Sequence, residues 1–141
     1  MNVKPLLITA AAAVTLLLNS CSGTPGIADV ESELKSKIQN ESNGNIELTH
    51  IEKTNSKDNE ILGQKIHTIE YKATITFKKD CDMYVNKSGV GPLFESFETY
   101  DEQPEFIPSM MMMVMPFVKG EKTTFYGSMR FQDTENGWVT M

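Results

Sequence analysis

The sequence predicts an α+β domain, one N-terminal helix packed on a curved antiparallel sheet of about five strands, and three observations carry that reading. Ile27, Val30, Leu34 and Ile38 recur at steps of three and four, with Asp29, Glu31, Glu33, Lys35 and Lys37 between them, which is the period of a helix with one apolar stripe. Across Lys65 to Lys78, His67, Ile69, Tyr71, Ala73, Ile75 and Phe77 alternate with Thr68, Glu70, Lys72, Thr74, Thr76 and Lys78, which is the period of a strand with one buried and one wet face. Such alternation belongs to antiparallel sheets solvated on one side. The order is helix first and strands after, and a helix laid across one face of the sheet buries both apolar surfaces most economically.

The chain opens with Met1 to Pro5, which carries Lys4, then Leu6 to Leu18, almost wholly apolar, then Asn19-Ser20 before Cys21. This is the three-part layout of an export signal. Its apolar run of 13 residues falls short of the roughly 20 that a membrane-crossing helix needs. Leu18, Ser20 and Cys21 resemble the lipobox of bacterial lipoproteins, the substrate of signal peptidase II once the thiol carries diacylglycerol. The resemblance implies a signal peptide at 1–20, a lipidated tether at 21–26 with Cys21 as the modified residue, and a single domain at 27–141; a cleaved signal with a free Cys21 is the alternative. Ser22 stands where an Asp would hold a lipoprotein at the inner membrane, and no acidic cluster follows the cysteine. The expected place is therefore the outer membrane, facing the periplasm, with the lipid as the membrane contact.

The helix should stop at Ser42-Asn43-Gly44-Asn45. Ile46 and Leu48 then alternate with Glu47 and Thr49 as a first strand, and the polar stretch Asn55 to Asn59 reads as the turn into the long strand at 65–78. Residues 79–108 are irregular. Residues 109–132 read as a hairpin, with Met110 to Val118, a turn at Lys119-Gly120-Glu121, and a strand presenting Phe125, Gly127, Met129 and Phe131 on one face. Asn136-Gly137 supplies a last turn before a short strand at Trp138 to Met141.

Ile69 to Phe77, and Gly127 to Phe131 followed by Thr134 to Trp138, resemble strands of the cystatin-like and NTF2-like half-rolls found among small exported lipoproteins. The resemblance covers residues 26–141 as architecture. Cystatins proper place a strand before the helix and carry a Gln-x-Val-x-Gly inhibitory loop; this chain has neither, so protease inhibition is not implied.

The formal net charge is −6 with 13 basic and 19 acidic residues. Loss of residues 1–20 would remove Lys4 and no acid. An acidic chain repels phosphate, which excludes nucleic acid as an expected partner. With Cys21 lipidated, Cys81 has no partner for a disulfide and, between Asp80 and Asp82, is read as a buried inert thiol. His50 and His67 are too few for a three-histidine zinc site, and His67 is read as structural. Asp80 to Asn86 fails as a calcium loop because Tyr84 and Val85 occupy ligand and glycine positions. No cofactor or catalytic device is expected.

Two features carry function instead. Phe94, Phe97, Tyr100 and Phe106 stand among Glu95, Glu98, Asp101, Glu102 and Glu105, and the first three, at steps of three, would form one face of a short helix capping the domain or else anchor a partner. Met110 to Met113 and Met115 follow; they read as an adaptable apolar surface, with Met111 and Met113 as contacts. The expected function is non-enzymatic binding of a protein, peptide or small apolar ligand through residues 90–118. The alternatives are a periplasmic Cu(I) carrier built on Met110 to Met115 and an NTF2-like enzyme using an acid such as Glu70.

Overall fold

The computed structural model describes residues 23–141; the expected signal segment and Cys21 lie outside the described residues. Helix α1 (Ile27–Glu41) precedes six strands: β1 (Ile46–Ile61), β2 (Gln64–Phe77), β3 (Cys81–Asn86), β4 (Met112–Phe117), β5 (Lys122–Thr134) and β6 (Gly137–Thr140). The strands form an antiparallel four-stranded sheet, β1-β2-β5-β6, and a two-stranded ladder, β3-β4. The class is α+β as expected, with six strands in place of about five.

Helix α1 starts where Asp29 turns its carboxylate back onto the Gly26 N–H (2.7 Å), an acid at the positive end of the helix. Val30, Leu34 and Ile38 are its buried stripe. Ser42 ends it: the wholly buried hydroxyl donates to the Ile38 carbonyl (2.5 Å) and accepts the Ile46 N–H (3.2 Å). Asn43 and Gly44, at φ 56° and 77°, reverse the chain in the left-handed region that Asn and Gly tolerate.

The turn expected at Asn55 to Asn59 is not there. β1 runs on to Ile61, pairing with β2 as far as Ile61↔Gln64, and the reversal is the two-residue turn Leu62-Gly63, at φ 52° and 78°. The polar residues after Leu48 lie mostly exposed in a strand held by its backbone, and two register shifts, at Leu48/His50 and Lys53/Asn55, bend it.

The hairpin expected over 109–132 is also corrected. Its turn forms at Val118 to Glu121, with Gly120 at φ 86°, but β4 and β5 do not pair with each other. β4 pairs with β3 and β5 with β2, and both ladders share one register, from Ile66↔Gln132 through Thr76↔Lys122 to Cys81↔Phe117 and Asn86↔Met112. Residues 64–86 and 112–134 are thus a single ribbon creased at a corner. Asp80 accepts the Lys119 N–H there (2.7 Å), and Phe77 stacks on Phe117 across the crease, centroids 4.2 Å apart. The crease curls the sheet around α1. Cys81, Met83 and Val85 of β3, a strand inside the segment expected to be irregular, point into the core.

The loop 87–111 closes the remaining side. Tyr100 exchanges backbone hydrogen bonds with Asp82, Glu41 accepts the Phe97 N–H (2.8 Å), Asn45 donates to Thr99 (2.9 Å) and Tyr84 donates to the Phe106 carbonyl. These contacts strap the end of α1 to the ribbon.

Candidate functional site

A cleft of about 860 Å³ opens between α1, the loop and β5. Leu34, with Glu33 and Lys37 on its rim, forms one wall, Pro92, Phe94, Glu95 and Phe97 the second, and Phe125, Gly127 and Met129 the third, with Tyr71 on the floor. Lys37 lies 3.9 Å from Glu41 and 5.9 Å from the centre of the Phe97 ring.

Gly127 shapes the floor. It pairs with Tyr71, and a Cβ at this position would lie 2.6 Å from Cζ and Oη of the tyrosine, so the ring lies across bare backbone. A glycine inside a strand often marks such an approach. Burial pushes the Tyr71 hydroxyl pKa upward, which keeps it a neutral donor at the cleft floor.

Beside the cleft, β5 has an uncovered edge. β6 pairs with β5 only from Phe131 to Thr134, followed by one bond from the Met141 N–H to the Arg130 carbonyl. Arg130 therefore turns its backbone away from β2. By the two-residue alternation of a strand, Thr124, Tyr126 and Ser128 do the same. Among the described residues nothing pairs with these backbone groups, and Tyr126 and Ser128 line the cleft.

The expected contact residues separate into two groups. Phe94 and Phe97 are 5% and 3% exposed, packed on Phe125 and each other with centroids 5.4 to 5.9 Å apart. They are core side chains whose edges form a wall, not surface anchors, and no helix carries them: residues 87–111 form a non-helical loop. Step-three spacing misled because the loop is pinned by side-chain and backbone bonds to α1 and β3, which decide its direction. Tyr100 stands apart, its ring edge-on to Tyr84 and its hydroxyl donating to Glu98 (2.8 Å). Phe106, Met111 and Met113 are exposed and do not line the cleft.

The methionines divide between the turn and strand β4. Met110 and Met111 occupy the turn before β4, Met113 is partly exposed opposite Val85, and Met115 packs against the core opposite Met83. Among the described residues no group of three or more His, Cys, Asp or Glu side chains is placed to hold a metal ion. His67 is buried, its Nδ1 2.6 Å from Asp58 and its ring edge-on to Trp138. Glu70 lines the cleft, and its carboxylate accepts hydrogen bonds from Asn55 and Lys57. Cys81 is buried; its thiol pKa is raised by burial first, and by Asp82, Asp101 and Asp80 against the opposing pull of Lys79.

Sequence reasoning missed the β5 edge and most of the cleft lining. The one local signal was Gly127 within a strand and on the same predicted face as three large apolar side chains. No protein-family model, curated protein or solved structure matches the chain.

Proposed function

We propose that this protein is a lipid-anchored binding module of the bacterial cell envelope, a cystatin-like or NTF2-like half-roll that holds an apolar ligand or peptide and performs no chemistry on it. The observation that carries the reading is the cleft: about 860 Å³, with an apolar wall of Leu34, Phe94, Phe97, Phe125 and Met129, and with Tyr71, Glu33, Lys37, Glu70, Glu95 and Arg130 as polar groups around it. A concave site that joins an apolar wall to polar groups is the usual form of a ligand pocket. Neither histidine lines it, and Glu70, which does, is engaged by Lys57 and Asn55, which favours binding over acid-base catalysis. Leu18, Ser20 and Cys21 support the anchor, and Ser22 supports the outer membrane. A creased ribbon curled around one helix supports the half-roll, but a roll does not by itself specify what it binds.

The test is native mass spectrometry of the full chain purified from its own envelope extract. The expected result is a mass for lipidated Cys21 plus a retained organic adduct, with the adduct lost in Glu33→Trp, which fills the cleft from an exposed helix position. A bare chain, or an adduct indifferent to Glu33→Trp, would overturn the binding reading. An unlipidated mass would overturn the anchor alone.

A further inference from the structure

The geometry points to the class of ligand. We infer that the cleft takes an extended segment of another polypeptide, added as a strand along the uncovered β5 edge from Thr124 to Arg130, in line with β6. The inference rests on the binding reading above and narrows it.

The backbone argument comes first. Thr124, Tyr126 and Ser128 each offer an N–H and a carbonyl outward with no described partner. Another main chain can satisfy such a row in register, and strand addition at an open edge is a recurrent mode of peptide recognition. The span from Thr124 to Arg130 is roughly 20 Å, enough for a peptide of about seven residues.

The neighbouring edge gives the contrast. β4 continues β5 across the crease in the same register, and its outward position at the corner is Pro116, which has no N–H to offer and blunts an edge. β5 has no proline between Lys122 and Thr134.

Side chains then set the sequence pattern. Alternate residues of an added strand would point into the cleft, against Phe97, Phe125 and Met129, while the others would lie beside exposed Tyr126 on the solvated face. The peptide should therefore be apolar at every second position. Around the cleft, the acids Glu33, Glu70 and Glu95 outnumber the bases Lys37 and Arg130, and Lys37 is already beside Glu41. With 19 acids against 13 bases in the chain, basic residues at the outward positions are favoured.

The experiment selects displayed random peptides, about seven residues long, on the immobilised full chain. A selected peptide is then resynthesised with single backbone N-methyl groups at alternate residues. The expected result is apolar-alternating, basic peptides that protect the Tyr126 and Ser128 amides from hydrogen exchange. N-methylation at the residues facing β5 should weaken binding roughly tenfold each, and at the intervening residues hardly at all. Thr124→Pro, which removes an outward N–H off the cleft lining and none facing β2, should weaken the peptide similarly while anilinonaphthalenesulfonate, an apolar dye, still binds the cleft.

If the dye binds but no peptide is selected, or if N-methylation is harmless at every position, strand addition is wrong and the binding reading stands. If neither dye nor peptide binds, both are wrong. Protection of Tyr126 and Ser128 without peptide, together with a dimeric native mass, would assign the edge to a second copy and also overturn the inference.

Discussion

Gly127→Ala isolates the contact that shapes the cleft floor. The added methyl would stand 2.6 Å from Cζ and Oη of Tyr71 and 3.0 Å from Cε2, about 1 Å closer than ordinary carbon contacts allow. Tyr71 is 6% exposed and meets Phe125 edge-on at 6.5 Å, so its ring has little room except toward the cleft. Overpacking of this kind costs about 1–3 kcal/mol. Replacing glycine inside a strand returns roughly 0.5–1 kcal/mol of backbone entropy. The expected net loss is about 1–2 kcal/mol, a fall in Tm of roughly 4–8 °C for a domain of this size. Urea and thermal unfolding, followed by the fluorescence of the single tryptophan, Trp138, and by circular dichroism, measure it. The decisive arm is Tyr71→Leu, which removes the atoms the methyl would strike while keeping the site apolar. In that background Gly127→Ala should be neutral or mildly stabilising, a coupling of at least about 1 kcal/mol. Equal costs in both backgrounds, or stabilisation of the wild type, would show that Tyr71 does not lie across Gly127, and the described floor of the cleft would be wrong.

Three other perturbations test separate parts of the fold. Leu62 sits fully exposed at φ 52° before Gly63 at φ 78°; Leu62→Asn should stabilise by about 0.5–1 kcal/mol, whereas Gly63→Ala, with open space around it, should cost about 1–2 kcal/mol through backbone strain alone. Unfolding midpoints that move the other way would refute the assigned turn. Burial first, then the hydrogen bond and charge of Glu98, push the Tyr100 pKa up to about 12, so the folded state favours the protonated phenol. That stability is complete below the unfolded value of about 10 and is lost as pH rises toward about 12. Tyr100→Phe should flatten the alkaline decline in the urea midpoint, and an unchanged slope would contradict the assignment. Cys81 is buried with its thiol pKa raised, so iodoacetamide at about pH 8 should modify it at least ~100-fold more slowly in the native than in the urea-unfolded chain; equal rates, read on the Cys81 peptide, would place the thiol at the surface.

The sequence made some of this legible and concealed the rest for identifiable reasons. Helix α1 buries one face and strand β2 alternates from Ile69 to Phe77, so their periods are written in the residues. Ile66 to Ile69, however, are buried on both faces, and Thr68, expected on the wet face, is among them. The outer half of β1 has exposed residues on both faces and carries no alternation; it is a strand because β2 pairs with its backbone, and Leu62-Gly63 holds only one of the usual turn residues. β3 does alternate, with Cys81, Met83 and Val85 inward, but six residues that follow Asp80 and end on Asn86 resemble a polar loop. The turn chemistry at Lys119-Gly120-Glu121 correctly marked a change of direction. It could not distinguish a hairpin from a crease, because that difference lies in which distant strand each arm pairs with.

The same crease explains why the candidate site falls where no motif stands. Once residues 64–86 and 112–134 are zipped in one register, β6 covers the Phe131 to Thr134 end of the β5 edge, and among the described residues no strand covers the rest. The loop 87–111 is anchored instead to the opposite side, at Asp82, Glu41 and Asn45. From there Phe94 and Phe97 reach over the concave face to Phe125 without hydrogen bonding to β5. An apolar wall is thereby set beside a bare row of backbone groups. On the proposed reading, Phe94 and Phe97 would serve binding through the wall they build, while specificity for an extended chain would reside in Thr124, Tyr126 and Ser128. Those residues act through backbone atoms, and their side chains alone would draw no attention.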